Sequence, residues 1–578
     1  MKKIWKAAKS FCAVLGVIVI IVGIGAAVMA WLNRDKVYIP KNTAVMIDFS
    51  QNFSEIGEQS LFDELSGSSS IKFSRLLQAI EAAGYDNRVK ALIARLDTTD
   101  LDLAQIEDVA RAIRNFQSSG KKAYVFSQGF GPLGQGNREY YLATFFDKIY
   151  MQPHTTIGLT GVSIEIPFLR KLLDKLGVTP EFYTRYEYKT AMMSLTDTKI
   201  SQEYKKEMQN LADGIMTVIK EDIKNNRNIA DIDVVINQAP ISAEQGLEMG
   251  LIDDIMYLPE LENMLKDENI EHFTDMSDYV QCIKLNEGNL PTIAYLTLNG
   301  IIDKGQSSND FDGEYVIGSQ SVATDIAQIA DLPNLKAVIV RINSPGGDYN
   351  ASDEIYFALK QLKKEKNVPI IVSMGGYAAS GGYFVALAGD KLIAEPLTVT
   401  GSIGVLGGKV KLSKMWQKLG VEWETVQTGK NADILSFNKP FTLQEKQIFN
   451  ESLDEIYDDF TKKVLENRHL TLSIDKVARG RVWLGWQALR LGLVDDIGGY
   501  YDALNTAIEM AHINPKEEIA VVEYPKSKDL SEKISELLLG KGLLAADAFM
   551  HSSVDIRYLR LFKRLQYDTV TAPFSLKM

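Results

Sequence analysis

The serine best placed for chemistry is Ser380, in the run Tyr-Ala-Ala-Ser-Gly-Gly-Tyr. Residues 369–374 are apolar and β-branched, which is typical of a buried strand, and we expect Gly375 and Gly376 to end it. Residues 379–387 have helix-forming character, so Ser380 is predicted at a strand-to-helix turn, where helix N–H groups lack intrahelical partners. A hydroxyl there can act as a nucleophile while nearby amides bind the oxyanion. The alternative is that Ser380 only caps the helix.

A glycine-rich turn is the second element suited to this chemistry. The sequence Asn-Ser-Pro-Gly-Gly at 343–347 directly follows an apolar run that is typical of a buried strand. Glycine tolerates unusual dihedral angles and close approach, so backbone amides of such a turn can point into a cleft. A simple tight turn is the alternative interpretation.

The elements that would position these residues occur twice in the chain. Residues 90–96 (KALIARL) match 336–342 (KAVIVRI), and residues 153–162 (PHTTIGLTGV) match 396–405 (PLTVTGSIGV). Further matches keep the same order, which predicts an internal duplication of roughly 230–250 residues. Each half alternates short apolar strands with helical patterns, so we expect an α/β fold. Charged helices are predicted from about Ser201 and from Thr442, the latter with a capping box completed by Glu445.

The two halves differ where chemistry would take place. The repeat offset puts Asn137 opposite Ser380 and Leu159 opposite Ser402, so the first half lacks both serines. The first half instead carries Lys189, opposite Asn431 or, with a slip of one residue, opposite Lys430. A lone lysine is normally a solvated surface charge.

Lys189 is of interest because no histidine lies near Ser380 in the sequence. A lysine with a pKa of about 10.4 is protonated at neutral pH and cannot accept a proton. Lowering that pKa to ~7 costs roughly 4–5 kcal/mol, which burial must supply. Lys189 is therefore expected to be buried between the halves. Glu187 would share its face on a strand, which counts against this interpretation.

Composition restricts the classes of function. The net charge of −12 argues against nucleic acid as a main partner, and two cysteines cannot form a cysteine-rich metal site.

Four lysines precede an uncharged stretch of 22 residues, 11–32, which is long enough to cross a bilayer. We expect a retained anchor with the N-terminus in the cytoplasm. A cleaved signal peptide is the alternative, because residues 28–30 resemble a cleavage site.

The serine motifs and the Ser-Pro-Gly-Gly turn, together with Thr-Gly-Ser-Ile-Gly-Val at 400–405, resemble the signal peptide peptidase A family, also called protease IV. The motifs are shared with the wider Clp-protease and crotonase-like superfamily. Duplication and an anchor are features of the family's long form, which this chain resembles from residue 1 to about 520. The implied architecture is two tandem crotonase/Clp-like repeats after an N-terminal transmembrane helix.

The resemblance implies a Ser–Lys dyad. In it Ser380 is the nucleophile, Lys189 the general base, and Ser402 the residue that orients the lysine, while the amides of Gly347 and Gly381 form the oxyanion hole. The family further implies no cofactor or metal and a homotetramer that degrades cleaved signal peptides and other apolar segments. It also implies a location in the bacterial inner membrane, with the bulk of the chain on the periplasmic side.

Four segments are predicted. They are a cytoplasmic tip and anchor (1–36), a repeat carrying the lysine (37–290), a repeat carrying the serine (291–523) and an amphipathic tail (524–578). The tail is predicted to cover its own domain, to contact a partner subunit or to lie on a membrane. A crotonase-like acyl-CoA enzyme and a non-catalytic membrane scaffold are the alternative functions.

Overall fold

The computed structural model describes residues 38–57, 71–131, 134–283, 289–309, 315–526 and 569–571. Among these residues, no helix has the length and apolar character that crossing a bilayer requires. The predicted anchor at 11–32 and the amphipathic part of the predicted tail lie outside the described residues.

The first half of the described chain is a mixed α/β structure. Its elements are β1 Thr43–Asp48, β2 Phe53–Ser54, β3 Ile71–Lys72, α1 Phe73–Tyr85, β4 Val89–Arg95, α2 Leu103–Ser118, β5 Lys122–Ser127, α3 Asn137–Ala143, β6 Lys148–Met151, β7 Thr156–Ile157, α4 Arg170–Leu176, β8 Thr179–Thr184, α5 Met193–Thr196, α6 Gln202–Arg227, α7 Ile232–Gln238, β9 Ile241–Ser242, α8 Ala243–Glu248, β10 Asp254–Ile255, α9 Leu258–Asp267, β11 His272–Asp275 and α10 Met276–Cys282.

The second half has the same character. Its elements are β12 Thr292–Asn299, β13 Ile301–Asp303, β14 Ser308–Asn309, β15 Tyr315–Gly318, α11 Ser319–Ala330, β16 Leu335–Ser344, β17 Gly346–Asp348, α12 Tyr349–Lys366, β18 Ile370–Ala379, α13 Gly381–Ala386, β19 Lys391–Ala394, β20 Val399–Gly401, β21 Leu406–Lys411, α14 Ser413–Lys418, α15 Leu443–Asn467, α16 Ile474–Val477, β22 Val482–Leu484, α17 Gly485–Leu491, β23 Asp496–Ile497, α18 Tyr500–Met510, β24 Ala520–Tyr524 and β25 Thr569–Thr571.

Two parallel sheets repeat the same strand order. The first runs β10-β6-β5-β4-β1-β11, with all its pairs parallel. The second contains β23-β19-β18-β16-β12-β24 in the corresponding order, also parallel, and β20 and β22 extend it beside β18. The matching strand order confirms the predicted duplication, because each strand of one sheet has its counterpart in the other.

The strands are buried on both faces because helices cover both sides of each sheet. On β12, Ile293 and Tyr295 face a core shared with the first repeat, whereas Ala294 and Leu296 face a separate core. Helix α2 contacts β5 of the first sheet and β18 of the second, so it lies between the two sheets. Alternating burial on continuous apolar strands is what parallel sheets with helices on both faces require. The two repeats therefore share one core.

A third, mixed sheet joins the repeats near the candidate site. Its strand order is β14-β15-β13-β17-β25-β21-β8, and β8 of the first repeat pairs antiparallel with β21 of the second. The turn after β8 leads to Lys189. A strand of the first repeat thus carries the lysine into the second.

The expectation that Gly375 and Gly376 end the strand is wrong, because β18 continues through both to Ala379. A methyl group on Gly376 would come 2.4 Å from the carboxylate of Asp102, at the N-cap of α2. The glycine pair therefore allows the first repeat to approach the strand closely. The predicted helices after Ser201 and Thr442 are confirmed, as is the capping box between Thr442 and Glu445.

Candidate active site

Ser380 lies between β18 and α13, at the predicted strand-to-helix turn. Its φ of +56° and ψ of −116° are unusual for a residue with a side chain, and such strain costs of order 1–3 kcal/mol. The backbone N–H of Ser380 donates to the carbonyl of Gly401 at 2.8 Å, which ties the turn to β20. Its side chain makes no capping hydrogen bond to α13. The alternative that Ser380 only caps the helix is therefore wrong.

Lys189 reaches this serine from the first repeat. Its Nζ lies 2.6 Å from Ser380 Oγ, 3.0 Å from Ser402 Oγ and 3.0 Å from the carbonyl oxygen of Ser402. The lysine is only 2% exposed, and both serines are fully buried. Three oxygen partners fix the amine in direction as well as in distance.

Ser402 also has a strained backbone. Its φ is +49°, and its N–H donates to the carbonyl of Arg481 at 2.7 Å. This conformation turns both the hydroxyl and the carbonyl of one residue toward Lys189. The lysine is thus held by two oxygens of Ser402 while its third contact is to Ser380.

Two glycines make room for the lysine. A Cβ on Gly404 would lie 3.3 Å from Lys189 Cδ, and a Cβ on Gly480 would lie 2.4 Å from the Lys189 backbone nitrogen. Gly480 also has a φ of +89°, which side-chain-bearing residues rarely adopt. Sequence reasoning did not single out either glycine, because the contact joins segments that are far apart in the chain.

Local geometry separates Glu187 from Lys189, so the two residues do not share the face of a strand. Strand β8 ends at Thr184, and the chain turns through Tyr186, whose φ is +68°. Glu187 points away and forms a partly exposed ion pair with Arg479 at 2.9 Å. The turn therefore separates this carboxylate from the buried amine.

The counterpart of Lys189 in the second repeat is not part of the site. Lys430 and Asn431, the two positions that the sequence left open, are both exposed. Of the lysines considered for the site, only Lys189 is within hydrogen-bond distance of Ser380.

Burial lowers the pKa of Lys189 to about 7, and the carboxyl group of Glu207 opposes this change. Burial also raises the pKa of Glu207 to about 8, against the effects of the Val482 N–H group, Arg481 and Lys189. A lysine with such a pKa is largely neutral slightly above pH 7 and can accept a proton. Glu207 was missed at the level of sequence, since a glutamate on a charged helix is normally a solvated residue.

The glycines proposed to bind an oxyanion are neighbours in space. Gly381 is the first residue of α13, so its N–H has no intrahelical partner. A methyl group on Gly381 would come 3.0 Å from the amide nitrogen of Gly347, which lies on β17. The two backbone amides therefore lie beside the Ser380 turn. No group of three or more His, Cys, Asp and Glu side chains could hold a metal ion in the part of the chain that the structure describes.

Chemically, this arrangement can remove a proton from a hydroxyl and stabilise a negative oxygen. A neutral amine at 2.6 Å can accept the Oγ proton of Ser380. Amides at the start of a helix favour negative charge. These are the two requirements of acyl transfer through a serine.

Comparison with known families identifies the class of protein. The model of peptidase family S49 matches residues 115–270 and 362–514, once in each repeat, and the Clp protease model matches residues 317–398. The protein is therefore a mixed α/β peptidase with two repeats and a Clp-like fold. The chain belongs to peptidase family S49.

Similar full-length proteins carry names that agree with this family. The chain is 30% identical over 487 residues to "Serine protease SPPA, chloroplastic" of Arabidopsis thaliana, covering 82% of this chain and 70% of that protein. It is 30% identical over 467 residues to "Protease 4" of Haemophilus influenzae, covering 77% of this chain and 74% of that protein. "Protease 4" of Salmonella typhi is 29% identical over 487 residues, covering 80% of this chain and 74% of that protein. The protein is accordingly a serine peptidase, and the resemblance inferred from its motifs is confirmed.

Proposed function

We propose that this protein is a membrane-anchored serine endopeptidase that uses Ser380 and Lys189 as a dyad to degrade cleaved signal peptides and other apolar segments. One observation carries the mechanism: the Nζ atom of a fully enclosed lysine lies 2.6 Å from the Ser380 hydroxyl oxygen. Supporting features are the lowered pKa of Lys189 and the exposed position of Lys430.

In the proposed reaction, neutral Lys189 accepts the proton of Ser380 as Oγ attacks the peptide carbonyl carbon. The resulting oxyanion is bound by the amides of Gly347 and Gly381. The protonated lysine then gives its proton to the departing amine, which leaves an ester on Ser380. Water, deprotonated by Lys189, hydrolyses that ester and restores both residues. Ser402 keeps the amine directed at Ser380 through both steps.

Strands β17 and β21 beside the dyad pair with β25, an extended segment of the same chain. Strand β25 lies antiparallel to β17, with Val570 opposite Gly347, and it also pairs with β21. The slot between β17 and β21 therefore admits an extended backbone next to the amide of Gly347. This supports recognition of an unfolded segment through main-chain hydrogen bonds, as in other strand-addition complexes.

A homotetramer is part of the proposal. Large apolar side chains are exposed on and after α4 and α14, where the counterpart segments of the two repeats meet. Extended exposed apolar surface marks an interaction site in a soluble domain. The exposed residues include Leu172, Leu176, Leu419, Trp423 and Val426. Light scattering on the variant Leu176→Glu/Trp423→Glu should show a smaller assembly than for the wild type; an unchanged mass contradicts this contact.

A fluorophosphonate probe tests the proposed function directly. The purified full-length protein should be labelled at Ser380 and should hydrolyse an apolar peptide, and Ser380→Ala should lose both activities. A crotonase-like acyl-CoA enzyme would turn over a thioester without labelling, and a scaffold would do neither. Either outcome would overturn the proposal.

The proposed topology has its own test. We propose that residues 11–32 anchor the chain in the bacterial inner membrane, with the segment after residue 36 on the periplasmic side. Protease added to spheroplasts should then digest most of the chain and leave a small protected fragment. Full protection of the chain would contradict this orientation.

A further inference from the structure

Glu207 is a buried carboxyl group that the mechanism above does not use. It lies near the start of α6 in the first repeat and is only 6% exposed. Its Oε1 accepts a hydrogen bond from the Val482 N–H at 3.0 Å, while Oε2 has no hydrogen-bond partner among the described residues. A buried carboxyl with one free oxygen is costly to retain, so its position needs an explanation.

The segment that Glu207 holds contacts both residues of the site. Val482 begins β22, which pairs with β20 immediately before Ser402. The preceding carbonyl, that of Arg481, accepts the Ser402 N–H at 2.7 Å. Gly480 packs against the backbone of Lys189, with no space for a side chain between them. Through residues 480–482, one hydrogen bond from the first repeat thus restrains Ser402 and Lys189 together.

Few charged or titratable groups face this carboxyl. Lys189 and Arg481 act on it from the turn after β8 and from the segment before β22, and Tyr204 lies one turn earlier on α6. Arg481 is also stacked over Tyr188, with its guanidinium carbon 4.0 Å from the ring centroid. Lys189 is the only neighbour of these that the mechanism requires to be uncharged.

We propose that Glu207 is a positioning residue of the dyad, which fastens residues 480–482 to the first repeat. The inference rests on the proposed Ser–Lys mechanism and adds a residue to it. Glu207 should affect the reaction through its acceptor oxygen, because the hydrogen bond that it accepts from the Val482 N–H should maintain the geometry of Ser402 and Lys189.

The protonation states follow from burial. The pKa of Glu207 is raised to about 8 and that of Lys189 is lowered to about 7, so the carboxyl is still mostly neutral where the lysine loses its proton. Glu207→Gln substitutes a neutral group of the same size that keeps an acceptor oxygen, and it should therefore leave the site intact. Glu207→Ala removes the acceptor and should release residues 480–482.

The test compares four full-length proteins in peptide hydrolysis from pH 5 to pH 10: the wild type, Glu207→Gln, Glu207→Ala and the control Glu203→Gln. Glu203 is an exposed residue one turn earlier on the same helix. In Glu207→Gln the midpoint of the rise in kcat/KM should stay within about 0.3 pH unit of the wild type, with kcat at the plateau within about threefold. In Glu207→Ala the plateau kcat should fall about tenfold or more, as for other groups that orient a reacting residue. Glu203→Gln should match the wild type.

The outcomes are distinguishable. A plateau kcat that is unchanged in Glu207→Ala, or that falls equally in Glu207→Gln and Glu207→Ala, would overturn the inference, whatever the melting temperatures. If Glu207→Ala does not fold, Glu207→Asp replaces it: its shorter side chain withdraws the acceptor from Val482, so the plateau kcat should fall, and an unchanged plateau would overturn the inference. If the wild type neither hydrolyses peptide nor reacts with fluorophosphonate at Ser380, the proposed function fails and this inference fails with it.

Discussion

The two repeats use the starts of their counterpart helices α3 and α13 in opposite ways. In the first repeat, the repeat offset puts Asn137, the first residue of α3, opposite Ser380, and the side-chain amide of Asn137 donates to the carbonyl of Gly161 at 2.8 Å and accepts from the Gly161 N–H at 3.0 Å. In the second repeat, the counterpart of Gly161 is Gly404, which lies against the side chain of Lys189. In the first repeat the glycine is bridged by the side-chain amide of Asn137. In the second repeat the counterpart glycine contacts Lys189, which the first repeat supplies.

Backbone strain follows the same division. Ser380 and Ser402 both have positive φ angles, whereas their counterparts Asn137 and Leu159 do not. Each strained residue costs of order 1–3 kcal/mol and persists only where the surroundings impose it. At these two pairs of positions, the strain occurs only in the repeat whose serines contact the lysine. The positive φ angles of Ser380 and Ser402 are therefore a requirement of the site and not of the fold.

The largest expected effect comes from removing either member of the dyad. Ser380→Ala and Lys189→Ala should each lower peptide hydrolysis at least about 10³-fold, and the double variant should be scarcely worse, because the two residues act as a unit. Initial rates with a fluorogenic peptide measure this, and circular dichroism checks the fold. Lys430→Ala, which changes an exposed lysine of the other repeat, is the control. Substantial activity in Lys189→Ala would contradict the assignment of the base.

The pH dependence of activity should follow the protonation of Lys189. Lys189 has its pKa lowered to about 7, so below that pH it is protonated and cannot act as a base. Activity should therefore fall about tenfold per pH unit well below the pKa, or ~50-fold from pH 7 to pH 5, and should level off above the pKa. Replacing all five histidines should leave this limb in place. They are His154, His272, His469, His512 and His551.

The histidine variants also define the result that would contradict the Ser–Lys mechanism. If one of them alone removes activity while the protein stays folded, an imidazole is the base and the Ser–Lys mechanism is wrong.

A smaller effect is expected at Ser402. In Ser402→Ala the amine of Lys189 loses the Oγ contact but keeps the carbonyl contact of the same residue, both at 3.0 Å. The rate should fall about 10–100-fold, as for other groups that orient a reacting residue, and KM should change less than kcat. Steady-state kinetics at the pH plateau separate the two constants. A rate equal to the wild type would show that the carbonyl alone orients the lysine.

The smallest effect on activity should come from the first repeat. Asn137→Ser places a serine at the start of α3, but the segment at Lys430 and Asn431, the counterpart of Lys189, is exposed, so activity should stay within about twofold. The loss of the amide bridge to Gly161 should lower the free energy of unfolding by about 1–3 kcal/mol. Denaturant unfolding and fluorophosphonate labelling measure both effects. A second labelled serine at position 137 would contradict the comparison.

Local patterns in the sequence predicted much of the site. The turn at Ser380, the repeat and the capped helices depend on residues close together in the chain, and all three agree with the structure. The continuation of β18 through Gly375 and Gly376 was missed, because it depends on the approach of Asp102 from the other repeat. The orientation of Glu187 was missed because it depends on the turn at Tyr186, which redirects the chain.

Local sequence patterns did not predict the contacts between distant segments. The pairing of β8 with β21 and the hydrogen bond from the Val482 N–H to Glu207 join residues more than 200 positions apart. Their energy comes from the assembled fold, and nothing in the neighbouring sequence requires them. The lysine could be proposed from the difference between the repeats, but its surroundings could not.

The crossing of β8 into the sheet of the second repeat makes the two repeats interdependent. Ser380 belongs to one repeat and Lys189 to the other, and their side chains meet beside the pairing of β8 with β21. A fragment limited to either repeat therefore lacks one of the two residues. Mixing the two separately expressed repeats should restore the contact only if β8 and β21 pair across the two chains.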